Sequence, residues 1–136
     1  MRLLFAVPCR SATVGPDGAD IEGAGINQVW VESVPGDVSF TVLLGLATVP
    51  QDPEGKLELH LLGPGMTVLE QLEAELAADP PAGGASDLPP GFEATGLVPI
   101  VLRFTAQDAG THSIEVYLDG RHRDSLFFVV NVGTPD

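Results

Sequence analysis

Turn-forming residues interrupt this chain wherever a long helix could start. Its 136 residues include sixteen glycines and twelve prolines, spread so that a turn signal recurs about every 10 to 20 residues, a spacing that suits sandwiches and barrels of short strands. Proline fixes φ and removes a backbone donor, and glycine weakens helix and strand interiors, so each element must fit between these stops. The intervening stretches alternate as strands do. Val38, Phe40, Val42, Leu44 and Leu46 fall on one face of the segment Val38 to Thr48, and Leu57, Leu59 and Leu61 alternate with Glu58 and His60. Leu3 to Thr13 reads as a first strand ending at "GPDG", and "NQVWVES" as another ending at Pro35-Gly36. The pattern predicts an all-β fold: an immunoglobulin-like antiparallel β-sandwich of about seven to eight strands, one domain over residues 1–136.

Two segments are less determined. In "TVLEQLEAELAADPP", Leu69, Leu72 and Leu76 are spaced as on a helix, yet Leu72, Ala74 and Leu76 also alternate with Glu73 and Glu75. Intrinsic propensity favours a helix. Position within a run of strands joined by short connections favours a strand, which is the expectation for 68–77. "DPPAGGASDLPPG" (Asp79 to Gly91) has no periodicity and reads as a flexible surface loop.

The sharpest local signal is "HSIEVYLDGRHRDSLFFVV", His112 to Val130, in which two alternating segments flank Asp119-Gly120. Asp-Gly between such segments predicts a hairpin. His112 shares parity with Ile114, Val116 and Leu118, so it is expected to replace a core aromatic. The second arm is apolar at Leu126, Phe127, Phe128, Val129 and Val130 in succession. Alternation alone allows either set to face inward. The expectation is that Phe127 and Val129 point to the core, while Leu126, Phe128 and Val130 face a protein partner or a second copy, because a two-layer sandwich does not cover both sides of such a strand.

Charge and composition narrow the function classes. Six basic against nineteen acidic side chains leave a net charge of −13, which repels phosphate backbones and anionic membranes; neither nucleic acid nor membrane is an expected partner. One lysine against five arginines points to GC-rich coding and a bacterial source. Cys9 is the one cysteine, so no internal disulfide or cysteine cluster forms. The opening "MRLLFAVPCR" imitates a lipoprotein signal, but its apolar run, Leu3 to Val7, is shorter than the roughly 7–15 residues such a region needs. The expected location is cytoplasmic.

No catalytic constellation is legible. His60, His112 and His122 lack any HxH or HxxxH spacing. Asp17, Asp20 and Glu22 in "GPDGADIEG" offer oxygen ligands for calcium without the remaining positions of a calcium loop, and read as a solvated acidic turn. There is no GxSxG, and "GAGINQ" leads into a strand rather than the helix that a phosphate cradle needs. No cofactor and no catalytic residue is expected.

The succession "GKLELHLLGPG", a proline-rich stretch ending in "LPPG", then "VPIVLRF" and "AGTHSIEVYLDG" resembles a family of small single-domain bacterial β-sandwich proteins of unknown function. The resemblance covers nearly the whole chain and rests on turn and core patterns. It implies a fold and lends no catalytic residues; Ala109 and His112 stand where that family has a proline and an aromatic residue. The function expected is a non-enzymatic protein-interaction or structural module. A small-ligand or calcium-binding sandwich and an enzyme of unrecognised type are the alternatives.

Overall fold

Ten strands run through the computed structural model, which describes residues 1–77 and 92–135. They are β1 (Arg2–Cys9), β2 (Ser11–Gly15), β3 (Gly18–Glu22), β4 (Gln28–Val31), β5 (Gly36–Thr48), β6 (Glu54–Leu62), β7 (Val68–Ala77), β8 (Ala94–Ala106), β9 (Gly110–Leu118) and β10 (Arg121–Val132). The one helical element among the described residues is a 3₁₀ turn, Pro64–Met66. No described helix is long and apolar enough to cross a membrane. The loop expected at Asp79 to Gly91 lies outside the described residues.

The strands form a three-stranded sheet, β1-β5-β8, a five-stranded sheet, β4-β10-β9-β6-β7, and the separate hairpin β2-β3. Every pairing is antiparallel except that of β4 with β10, which is parallel. The two larger sheets enclose one core: Phe40, Val42, Leu44, Leu102 and Phe104 come from the small sheet, and Leu57, Leu59, Leu61, Ile114 and Val116 from the large one. Segment 68–77 is a strand, β7, paired with β6 along its length. Leu72, Ala74 and Leu76 lie opposite Leu59, Leu57 and Gly55, so the segment pairs as a strand, although only Leu69 and Leu76 on it are half-buried.

The strand count exceeds the expectation because Leu3 to Thr13 divides at Arg10, and because the acidic "turn" after "GPDG" is itself a strand, β3. Ala12, Val14, Ala19 and Ile21 share one face of the β2-β3 hairpin, while Ser11, Thr13, Asp20 and Glu22 share the other. The hairpin lies against β5 and β8, where it covers part of the small sheet's outer side. β5 is buried on both faces: Leu44 on the core side is 0% exposed and Leu43 on the outer side only 1%. Nearby, the Phe5 ring crosses Gly45 so closely that a Cβ there would lie 2.2 Å from it.

The closing hairpin has the expected turn. Asp119 and Gly120 have φ of 52° and 77°, both left-handed as a two-residue type I′ turn demands. Asp119 also ties the turn to β6: its backbone N–H donates to the Lys56 carbonyl at 2.8 Å, and its Oδ1 accepts from the Lys56 N–H at 2.9 Å. Gly120→Val places a β-branched residue at positive φ and is expected to cost about 1–2 kcal/mol or more. A denaturation midpoint equal to wild type would contradict the turn.

Beyond the turn the ladder departs from the expectation. Leu118 pairs with Arg121 and Tyr117 with His122, but the next pair is Val116 with Asp124. Arg123 is an extra residue, a β-bulge, and one extra residue exchanges the two faces of all that follows. Without it His112 would lie opposite Phe127. With it, His112 lies opposite Phe128, Ile114 opposite Leu126 and Gly110 opposite Val130. The expected interface of Leu126, Phe128 and Val130 is therefore corrected. Phe128 and Val130 are 3% and 1% exposed within the core and Leu126 packs against it. Phe127, expected inside, is 62% exposed.

Phe128 joins an aromatic cluster at ring-centroid distances of 5.1 Å from Phe40, 6.0 Å from Phe104 and 5.3 Å from His112. His112 takes the core aromatic position its parity implied, 1% exposed. Its Nδ1 donates to the Gly110 carbonyl at 2.9 Å, which fixes the proton on that nitrogen since a carbonyl only accepts. Nε2 has no hydrogen-bond partner among the described residues.

Candidate functional site: the outer face of the five-stranded sheet

The bulge determines what the large sheet shows to solvent. With the core set turned inward, the outer face of β10 carries His122, Ser125, Phe127, Val129 and Asn131. Cross-strand register extends these into rows. His122, Tyr117, Glu58 and Glu73 form one row over β10, β9, β6 and β7, and Ser125, Glu115, His60 and Gln71 form the next. The third begins Phe127, Ser113, Leu62. On the far side β4 contributes Gln28 opposite Val129 and Trp30 opposite Asn131. The face thus has two halves, a polar ladder over β9, β6 and β7 and an apolar strip along β10 and β4.

In the polar half the rings of His60, Tyr117 and His122 stand side by side, at centroid distances of 4.6 Å and 5.3 Å. Each histidine meets a carboxylate: His60 Nε2 is 3.2 Å from Glu58 Oε2, and His122 Nε2 is 2.6 Å from Glu115 Oε2. Lys56 Nζ bridges Glu58 at 3.5 Å and Glu73 at 3.6 Å. Glu115 is the hub. The Ser113 hydroxyl donates to its Oε1 at 3.1 Å, and Ser125 Oγ and His122 converge on its Oε2. Burial acts to raise the Glu115 pKa, but hydrogen bonds from Ser125, His122 and Ser113, with the charge of His122, outweigh it and hold the carboxyl below its ordinary value.

A carboxyl held low in the folded state contributes stability above its unfolded pKa, about 4.3 for glutamate, and loses it as pH falls through the folded value. Glu115→Gln is accordingly expected to be less stable than wild type at pH 6, with the two proteins converging below about pH 4. Equal pH dependence from pH 6 to 3 would show that the hub contributes nothing.

The Ser125, His122 and Glu115 trio lacks the order of a nucleophile relay. Ser125 donates straight to Glu115, and the same nitrogen of His122 meets both Glu115 and, at 3.0 Å, Ser125. The imidazole therefore does not stand between hydroxyl and carboxylate, as general-base activation of serine requires. His112 is on the opposite, core side of the sheet from His60 and His122, so the three histidines do not meet. Asp20 and Glu22 lie opposite Thr13 and Ser11 on the polar face of the hairpin, with Asp17 in its turn. No group of three or more metal-capable side chains occurs among the described residues. Cys9 is fully buried, and that burial pushes its thiol pKa up.

The apolar half has fewer internal ties. Trp30 is 42% and Phe127 62% exposed. Between them Asn131 Nδ2 donates to Gln28 Oε1 at 3.3 Å, and Val129 fills the gap toward Phe127. No charged side chain is on this strip. No family model matches the chain, and no curated protein matches it. Sequence reading placed His60 away from the core and His122 just past the turn but missed Glu115, Tyr117 and Ser125 beside them, since only the cross-strand register brings these together. Phe127 was missed for the same reason, its side of the strand depending on the bulge, whereas Trp30 faces out by alternation with Val29 and Val31 on its own strand.

Proposed function

We propose that this chain is a non-enzymatic protein-interaction module with an immunoglobulin-like sandwich, and that it binds through the outer face of its five-stranded sheet. The observation that carries the reading is Phe127, a large aromatic left mostly in solvent at the centre of an uncharged strip that runs to Trp30. Single exposed apolar residues are ordinary, whereas large exposed aromatics on an uncharged strip rimmed by polar groups are what interaction surfaces present. The hydrogen-bonded ladder beside it arrives already satisfied, so a partner need not reorganise it.

Strand order supports the immunoglobulin-like part. β1, β5 and β8 take the places of strands A, B and E, and β7, β6, β9 and β10 those of C′, C, F and G. The short β4 lies beside the last strand, and the β2-β3 hairpin is an addition between the first strand and it. The resemblance to small bacterial β-sandwich proteins points the same way on fold and is silent on activity.

A photo-crosslinking amino acid at position 127, compared with one at the exposed Thr105 on the small sheet, tests the reading in the living cell. Adducts formed at 127 and absent at 105 are expected. No adduct at 127, or equal labelling at both positions, would overturn it.

A further inference from the structure

We infer that Asp17 is a self-modifying site: in the folded protein the backbone nitrogen of Gly18 attacks its side chain and converts it to isoaspartate, while the fold protects the same dipeptide at Asp119-Gly120. Asp-Gly occurs twice in the chain, each time in the turn of a hairpin. The reaction needs no partner but water. The Gly18 nitrogen attacks Asp17 Cγ, an N–Cγ bond forms, and the Cγ–O bond of the protonated carboxyl breaks. The hydroxyl leaves with the amide proton as water. A second water then opens the cyclic imide. Breaking the N–Cγ bond restores aspartate. Breaking the bond from nitrogen to the main-chain carbonyl carbon leaves isoaspartate, with the main chain running through Cβ and the mass unchanged.

Local sequence makes the two sites equal. Glycine presents the least hindered attacking amide, and at both Gly18 and Gly120 no other group lies within 4 Å of where a Cβ would stand. Ring closure requires rotation about the aspartate Cα–C bond until the nitrogen stands beside Cβ. Turns that hold the aspartate ψ at about 0–30° keep the nitrogen away from it. Each turn must therefore open first, and the fold sets how often it does.

The two hairpins differ in that respect. Gly15 pairs with Gly18, which leaves Pro16-Asp17 as a two-residue loop. Proline does not reach positive φ, and Asp17 is not among the residues that do. The loop is therefore neither of the primed turns that match the twist of paired strands. Its strands, five residues each, form a separate two-stranded sheet, and such a ribbon is marginally stable on its own in water. Asp119 stands in a primed turn and is tied to β6 by two hydrogen bonds with Lys56. The strand leading into it, β9, is paired along both edges. Asp17 is exposed, and among the described residues no such tie joins it to another strand. Opening free energies follow this local density of contacts, so the turn at Asp17 opens more often.

Peptide mapping of the full chain after several weeks at neutral pH tests the assignment. Trypsin places Asp17 in the peptide Ser11–Lys56 and Asp119 in Phe104–Arg121, and electron-driven fragmentation distinguishes isoaspartate from aspartate. In the folded protein isoaspartate is expected at 17, forming at least about tenfold faster than at 119, because the rate follows the open fraction of each turn. In guanidinium the two sites should react at similar rates. Asp17→Glu, whose longer side chain would have to close a larger ring, should abolish the signal at 17 with unchanged far-ultraviolet dichroism. No isoaspartate at 17 in the folded protein, or equal rates at the two sites, overturns the proposal.

Discussion

Phe128→Ala is expected to destabilise the domain by about 3–5 kcal/mol, while Phe127→Ala, its immediate neighbour, changes stability by no more than about 0.5 kcal/mol in dilute protein. The contrast follows from position alone. Phe128 is 3% exposed and makes edge contacts with Phe40 and Phe104 and a stacked one with His112. Truncating it loses the transfer free energy of the ring and leaves a cavity bounded by three other rings, which close packing allows to collapse only in part. Against a total stability of about 5–15 kcal/mol, such a loss brings the domain near its threshold. Guanidinium midpoints measured at constant slope would separate the two variants. A lower midpoint for Phe127→Ala than for Phe128→Ala would mean that the strand has the opposite face inward.

Leu43→Asp is expected to cost more than about 4 kcal/mol, although Leu43 is on the outer side of its sheet. In an ordinary two-layer sandwich that side is wet, and a carboxylate there would be tolerated. Here Leu43 is 1% exposed. It lies between β1 and β8, opposite Val7 and Pro99, on the side where the β2-β3 hairpin lies. An unpaired carboxylate in that setting must either take up a proton or disrupt the packing around it. Loss of cooperative unfolding in Leu43→Asp is the expected readout. Wild-type melting would show that the outer side of β5 is open to water.

Much of this arrangement was legible in the residues. The alternation of Val38 to Leu46 and of Leu57 to Leu61 located two core strands, and Asp119-Gly120 located the turn. The 68–77 segment satisfied two periods at once, and its position between strands decided in favour of period two. The face of β10 was not legible from alternation, because five consecutive apolar residues satisfy either parity. Its neighbours did carry a signal. An unbulged ladder would set Arg123 inward opposite Val116 and Ser125 opposite Ile114, and would place Asp124 directly beside Glu115. Burying a guanidinium and pairing like charges across strands are both costly. Ejecting Arg123 from the ladder removes both costs and brings Leu126 opposite Ile114. The candidate site inherited this ambiguity: His60 was placed outward from its own strand, but the ladder around Glu115 and the outward side of Phe127 exist only in the bulged register.

The side of the sheet on which Phe127 stands is open to a direct chemical measurement, the native-state reactivity of a thiol placed there. Cys9 is the one natural cysteine and is 0% exposed, so it stays silent toward a disulfide reagent until the protein unfolds. In dilute folded Phe127→Cys, one thiol per chain is expected to react at the rate of a free cysteine, and the second only after denaturant is added. A Phe127→Cys protein in which neither thiol reacts before unfolding would place residue 127 in the core and contradict both the bulge and the binding face built on it.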